Sequence, residues 1–426
     1  MKGWFLLAAF VLAGCVSSAP ARESLDLIAR DYVKLQLAVG EKEQGYVDAY
    51  YGPPEWQAEA KTNAETPAAL AQRAGVLSVR LRSLADARLD PMERRRRDFL
   101  LAQLKAASTR LAMMQGAKYA FADEAENLFG VRPEMKPLSA YDPVLARIER
   151  LVPGKGPLSD RVDSFQERFA IPRDRLDSVM RAAIAECRRR TLRHIPLPEK
   201  ERFTLEFVTG KSWGGYNWYK GDSNSLIQVN TDFPVRIGRA VDLGCHEGYP
   251  GHHVYNLLLE ERLAKARGWV EFTLYPLYSP QSFLAEGSAN YGKELAFPGE
   301  ERLRFETTVL YPLAGLPAGE AGAYAALQEA MQDLAGARFT IARDYLEGRI
   351  DRARAVELAR KYQLVSKARA EQSVSFTHQY RSYVINYGLG QDMVRSAVER
   401  AGTDPAARWA AMKKLLSEPT LPRDLK

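Results

Sequence analysis

Along most of the chain, apolar residues recur every three or four positions. SLDLIARDYVKLQLAVGE (Ser24–Glu41), LAQRAGVLSVRLRSLADARL (Leu70–Leu89), RDFLLAQLKAASTRLAMM (Arg97–Met114) and LDSVMRAAIAECRRRTL (Leu176–Leu192) each gather their apolar side chains on one face of a helix. YYGPPEW (Tyr50–Trp56) and LVPGKGPLSD (Leu151–Asp160) carry the Pro and Gly that break such a pattern. After Pro196-Leu197-Pro198 the period changes. FTLEFVTG (Phe203–Gly210), GGYNWYKGD (Gly214–Asp222) and NSLIQVNTD (Asn224–Asp232) are short, rich in β-branched and aromatic residues and separated by turn residues, which predicts a small antiparallel sheet. Helix resumes through VRIGRAVDLGCHEG (Val235–Gly248) and HHVYNLLLEERLAKARG (His252–Gly268), and WVEFTLYP (Trp269–Pro276) offers one further strand. The predicted fold class is therefore mainly α with a small antiparallel β-sheet. A helical region, 25–200, packs with a second region, 201–426, as one body.

The chain begins differently. MKGWFLLAAFVLAGC places Lys2 before an apolar run of about a dozen residues, too short to span a bilayer and of the length of an export signal. Its end, Leu12-Ala13-Gly14-Cys15, resembles the bacterial lipobox. That resemblance implies removal of residues 1–14, lipidation of Cys15, a polar tether over 15–24 and a soluble body held at the cell envelope, facing the periplasm or the exterior. Of the remaining cysteines, Cys187 falls in a helical pattern and Cys245 beside a histidine motif, and both are expected as free, buried thiols.

A formal charge of +7 is a modest excess for 426 residues. The basic runs MERRRRD (Met92–Asp98) and CRRRTLRH (Cys187–His194) lie in helical sequence with acids nearby, so they read as solvated helix faces and not as a nucleic-acid surface.

The candidate chemistry sits in HEGYPGHH (His246–His253), which holds three of the five histidines. In HExxH peptidases two histidines one helical turn apart bind zinc, and the glutamate after the first handles the proton of the water that the metal activates. Here the spacing differs. Pro250 stands where the second histidine belongs, and the next two lie six and seven residues after His246. On an unbroken helix those separations mean about 9 and 10.5 Å of rise, too far for one metal held at about 2.0 Å per nitrogen. Pro250 cannot donate to the carbonyl of His246 and Gly251 tolerates unusual backbone angles, so the helix should open there. If the break absorbs two residues, His252 takes the role of the missing ligand. His253 then points elsewhere, toward substrate or a supporting partner, and remains the alternative ligand.

A zinc site needs a third protein ligand. LAEGSANYGKE (Leu284–Glu294) supplies Glu286, with Asn290 one turn later on the same face, where its amide can hold a ligand. Asp242 lies one turn before His246 and is the other candidate supporting residue. In QYRSYVINYGLG (Gln379–Gly390), Arg381, Tyr383 and Tyr387 are candidates to face substrate or the developing oxyanion, with Tyr387 preferred as catalytic. His378 is expected to be solvated or satisfied, and NSLIQVNTD to present an edge to an extended peptide.

HEGYPGHH, AEGSANY, GYNWY and NTDFPV together resemble the HExxPGHH metallopeptidases of domain-of-unknown-function family 885. The likeness is concentrated in about residues 201–300. It implies a gluzincin-like metallopeptidase with a broken metal-binding helix, one zinc per chain, His246, His252 or His253, and Glu286 as ligands, and Glu247 as general base. The expected function is a lipid-anchored zinc hydrolase acting on peptides. The alternatives are a zinc hydrolase of a non-peptide amide or ester, and a non-catalytic envelope binding lipoprotein with structural zinc. An intact Glu247 argues against the last, because holding zinc needs no base.

Overall fold

In the computed structural model, which describes residues 24–426, the chain is mainly helical with two small sheets. Residues 1–14, Cys15 and all of the tether but Ser24 lie outside the described residues. The four amphipathic segments become the helices Leu25–Gly40, Pro67–Ser83, Pro91–Met114 and Leu176–Leu192. Three of them start where Ser24, Thr66 and Asp90 accept a hydrogen bond from a backbone N–H three residues on, which satisfies a donor that the first turn leaves open. One buried core runs from Leu25 to Leu425 and draws on both predicted regions. A second cluster around Ile148, Leu327 and Ala359 packs later helices against Asp142–Leu151 and Leu158–Glu167.

The basic runs are more than solvated faces. Arg96 is buried and bonds Glu271 and Asp26, and Arg188 reaches the buried carboxylate of Glu201.

The predicted antiparallel sheet is mixed. Strands β2 (Arg202–Val208), β3 (Gly215–Gly221) and β4 (Asn224–Asn230) stand in the order β2-β4-β3, with β4 antiparallel to β3 and parallel to β2. Burial explains the order: β4 is mostly buried along its length whereas β2 is mostly exposed, and the most apolar strand takes the covered central place. NSLIQVNTD therefore has no free edge, contrary to expectation; β2 and β3 are the edges. The β3–β4 turn puts Asp222 and Ser223 at φ of 51° and 56°, the left-handed pair that a two-residue hairpin needs. Glu260, just past the histidine helix, accepts hydrogen bonds from both of their backbone N–H groups and so ties hairpin to helix. A second sheet pairs β1 (Val47–Tyr50) with β5 (Leu274–Pro276), while Val270–Thr273, predicted as strand, forms a 3-10 turn.

Cys187 and Cys245 are bonded, which corrects the expectation of free thiols: their Cα atoms stand 5.4 Å apart. Each lies on a buried face as predicted, and the two faces meet because Gly244 has no side chain. A Cβ there would come 3.2 Å from the backbone nitrogen of Ile184.

Candidate metal centre

The helix Ile237–Leu243 widens into a π-helical turn at Gly244–Gly248, stops, and restarts as His252–Leu259. Pro250 and Gly251 form the interruption, as their chemistry predicts. At Gly251 the two segments come so close that a Cβ would lie 1.8 Å from the carbonyl oxygen of His246 and 2.4 Å from that of Cys245; only glycine fits. The result is that His246 Nε2 and His252 Nε2 face each other at 3.1 Å.

Glu286 arrives from the helix Pro280–Ala296. That helix crosses Ile385–Glu399 at a glycine pair: a Cβ on Gly287 would meet the Gly390 carbonyl at 2.5 Å. The close crossing brings Glu286 and Asn290 against the tyrosines at the start of the later helix. Glu286 Oε2 lies 3.1 Å from His246 Nε2, and Oε1 3.8 Å from His252 Nε2. Donor atoms of His246, His252 and Glu286 thus all lie within 4.8 Å of one another.

Asn290 fixes the chemistry of His246. Its amide Nδ2 donates to the Tyr387 carbonyl at 3.1 Å, so its oxygen is the atom that faces His246 Nδ1 at 3.0 Å. Nδ1 must then carry the proton, which leaves the Nε2 lone pair directed at the convergence point. Tyr383 donates to Glu286 Oε1 at 2.7 Å, and Glu286 Oε2 is buried without a hydrogen-bond donor. Two facing imidazole nitrogens beside an undonated carboxylate oxygen are a donor set that a divalent metal of zinc's kind fits. Burial pulls His252 down to about 4, so it is neutral, as a ligand must be.

Glu247 is buried on the cleft wall. Burial, with the charge of Glu286, pushes its carboxyl up to about 7 against the pull of His246 and Arg239. β3 presses on it: a Cβ on Gly215 would lie 2.6 Å from Glu247 Oε1. The cleft holds about 880 Å³. Tyr387 lines it, its ring 6.4 Å from that of His246. Burial first, then Glu286, keep the Tyr387 phenol well above its ordinary pKa against the opposing charge of Arg338, so it stays protonated and can donate a hydrogen bond.

Four expectations need correction. His253 is fully buried and bonds Ser225 and Glu201 at 2.8 and 3.1 Å; it meets neither the metal ligands nor the cleft. Asp242 bonds no ligand but gathers Arg302, Lys293 and Arg239 at 3.0, 3.3 and 3.6 Å. Arg381 turns away to the buried carboxylate of Glu124 at 2.8 Å. Tyr383, expected at substrate, does line the cleft, but its hydroxyl is spent on Glu286. His378, by contrast, is exposed and lies 3.1 Å from the Tyr345 hydroxyl, as expected.

Sequence reasoning missed Asp48. It is the extra residue of a bulge where β1 meets β5, and such bulges re-aim side chains; here Asp48 joins the cleft wall. Burial, helped by Glu286 and Glu247, raises its carboxyl to about 7 against a Tyr216 hydrogen bond. No periodicity signals a single bulged residue.

No family model matches the chain, and no curated protein does either. Among solved structures, "the putative lipoprotein from Colwellia psychrerythraea" is 15% identical at a TM-score of 0.49, over 92% of this chain and 75% of that one. An M32 carboxypeptidase from Deinococcus radiodurans R1 is 14% identical at 0.46, over 91% and 90%, and a protein described as CHT is 12% identical at 0.39, over 94% and 92%. The functional reading therefore rests on the geometry of the site itself.

Proposed function

We propose that the protein is a zinc-dependent hydrolase of peptides, with His246, His252 and Glu286 holding one metal and Glu247 acting as general base. What carries the reading is the convergence of three donor atoms in a cleft whose neighbouring carboxyl titrates near neutrality. When bound, zinc would supply an acidified water and a Lewis acid for the carbonyl. The chain's own residues do the rest. Glu247, raised to about 7, is poised to take a proton at neutral pH and to return it to the leaving amine. Asn290 holds His246 in one tautomer and Tyr383 steadies Glu286. Tyr387, whose hydroxyl makes no hydrogen bond among the described residues, is the donor we assign to the developing oxyanion. The unpaired edge of β3, beginning beside Glu247 at Gly215, is where an extended peptide would add as a strand.

We further propose that the body is exported and lipid-anchored through Cys15. One observation supports this: a Cys187–Cys245 disulfide suits an oxidising compartment. Equal labelling of wild type and Cys15→Ser by a fatty-acid analogue would refute the anchor.

Metal analysis followed by incubation with a mixed peptide library tests the function. Glu247→Gln should keep about one zinc per chain while hydrolysis falls about 10²-fold or more. Loss of zinc from that variant would make Glu247 a ligand and overturn the assignment.

A further inference from the structure

Several cations line the cleft, and all but one are accounted for. Arg239 and Lys293 lean on Asp242. Arg369 donates to the Pro234 carbonyl and faces Glu167 at 3.7 Å. Lys211 is exposed to solvent.

Arg338, on the helix Ala337–Leu346, is different. Among the described residues no carboxylate pairs with its guanidinium, and its Nε is buried without a hydrogen-bond partner. Its Cζ lies instead 5.1 Å from the ring of Phe376 and 5.9 Å from that of Tyr387. Aromatic rings steady a guanidinium while leaving its planar N–H fork free. Burial draws its pKa below the ordinary value.

Position adds to chemistry. Arg338 Cζ and the His246 ring both lie against Tyr387, at 5.9 and 6.4 Å from the centre of its ring. An extended peptide advances about 3.3–3.6 Å per residue. Those two distances bound the span, so no more than about three residues fit between a carbonyl at the metal and Arg338.

We propose that Arg338 receives the terminal carboxylate of the substrate, so that the cleft selects peptides whose free C-terminus lies just beyond the bond cut. A carboxylate is flat and accepts the fork of an arginine through two parallel hydrogen bonds. This rests on the peptidase reading above and adds to it a direction of attack from the C-terminal end.

The test uses the zinc-loaded full chain and three matched N-acetylated hexapeptides: one ending in a free carboxylate, one in an amide, and one in an amide after a glutamate. The free acid should be cut near its end with kcat/KM about 10- to 100-fold above the plain amide, the scale of a charge-assisted contact. Arg338→Met should narrow that ratio to within about threefold, chiefly through KM, with zinc content unchanged; Arg338→Lys should restore part of it. Equal cutting of acid and plain amide, or a ratio unmoved by Arg338→Met, would overturn the proposal while leaving the peptidase intact. Cutting of the glutamate amide as fast as the free acid would overturn the terminal carboxylate as the group selected. If no peptide is cut, the peptidase reading fails and calorimetric binding of the same peptides decides for Arg338. Tighter binding of the acid that Arg338→Met abolishes supports the carboxylate site; equal binding of acid and amide refutes it.

Discussion

Replacing Gly251 with alanine should dismantle the metal centre without touching any ligand. The added Cβ would sit 1.8 Å from the carbonyl oxygen of His246 and 2.4 Å from that of Cys245, whereas an unstrained carbon-to-oxygen contact is about 3.3 Å. The obstacles are backbone atoms on both sides, so no side chain can swing away. One segment must move by about 1.5 Å, and His246 and His252, now 3.1 Å apart at Nε2, sit on opposite sides of that movement. Metal–ligand distances tolerate only about 0.2 Å, so one histidine is lost as a ligand. Losing a supporting hydrogen bond to a ligand already costs about 10- to 100-fold in affinity. Losing the ligand should cost at least about 100-fold, or roughly 2.7 kcal/mol. Competition with a zinc-binding dye measures it, with far-UV circular dichroism to show that the helices persist.

Gly248→Ala is the internal control. A Cβ there would meet Ile184 at 3.8 Å and Ile227 at 3.9 Å, which is ordinary contact, so zinc affinity should stay within about threefold of wild type. A folded Gly251→Ala protein that binds zinc as wild type does would refute the broken-helix argument.

His252→Ala should lose zinc by about 100-fold or more and leave stability nearly intact, while His253→Ala, which takes one partner from buried Glu201 and Ser225 and loosens the brace across the break, should lower stability by about 2–3 kcal/mol and weaken zinc far less, by about 10-fold; matched zinc titrations and urea melts separate the two. The Cys187–Cys245 bond closes a separation of 58 residues, so the double serine variant should lose about 4 kcal/mol by urea unfolding, and an unchanged midpoint would mean the bond adds nothing. Burial alone would raise the Glu201 carboxyl, but bonds from His253, Tyr249 and Arg188 outweigh it and lower it from 4.5 to about 2. Its contribution, up to about 3 kcal/mol, is therefore complete above pH 4.5 and fades as the pH falls toward 2. Glu201→Gln should remove that part of the acid slope, and an identical slope would count against it.

The helices were legible because their period is written in the apolar residues and their starts in Ser24, Thr66 and Asp90. The site was legible where local chemistry forces geometry: a proline and a glycine between histidines leave few options, and Glu286 with Asn290 one turn later follows from helix spacing. What escaped depends on which surfaces meet. The sequence marks Cys187 and Cys245 as buried but not as facing each other. A three-strand pattern does not say which strand is central. Asp242, Arg381 and Tyr383 have residue types suited to supporting or substrate roles, yet their partners come from segments that no local pattern connects to them.

His252 and His253 show how one break gives two adjacent, chemically identical side chains opposite fates. Consecutive residues at the start of a helix diverge by about 100°, so once Gly251 aims His252 at His246, His253 must face inward. There it completes a buried chain: Asn217 Nδ2 donates to the Glu247 carbonyl at 2.6 Å, Ser225 links Asn217 to His253, and His253 passes to Glu201, which also accepts from Tyr249 and Arg188. The chain grips the backbone just before the break at Glu247, the side chain of Tyr249 inside it, and the first turn after it. An interruption in a helix leaves carbonyls without their usual donors, and an unbraced one would let the two histidines drift apart. The motif therefore needs both histidines for different reasons. His252 meets the metal centre, and His253 holds the two halves of the broken helix in the one arrangement that lets His252 do so.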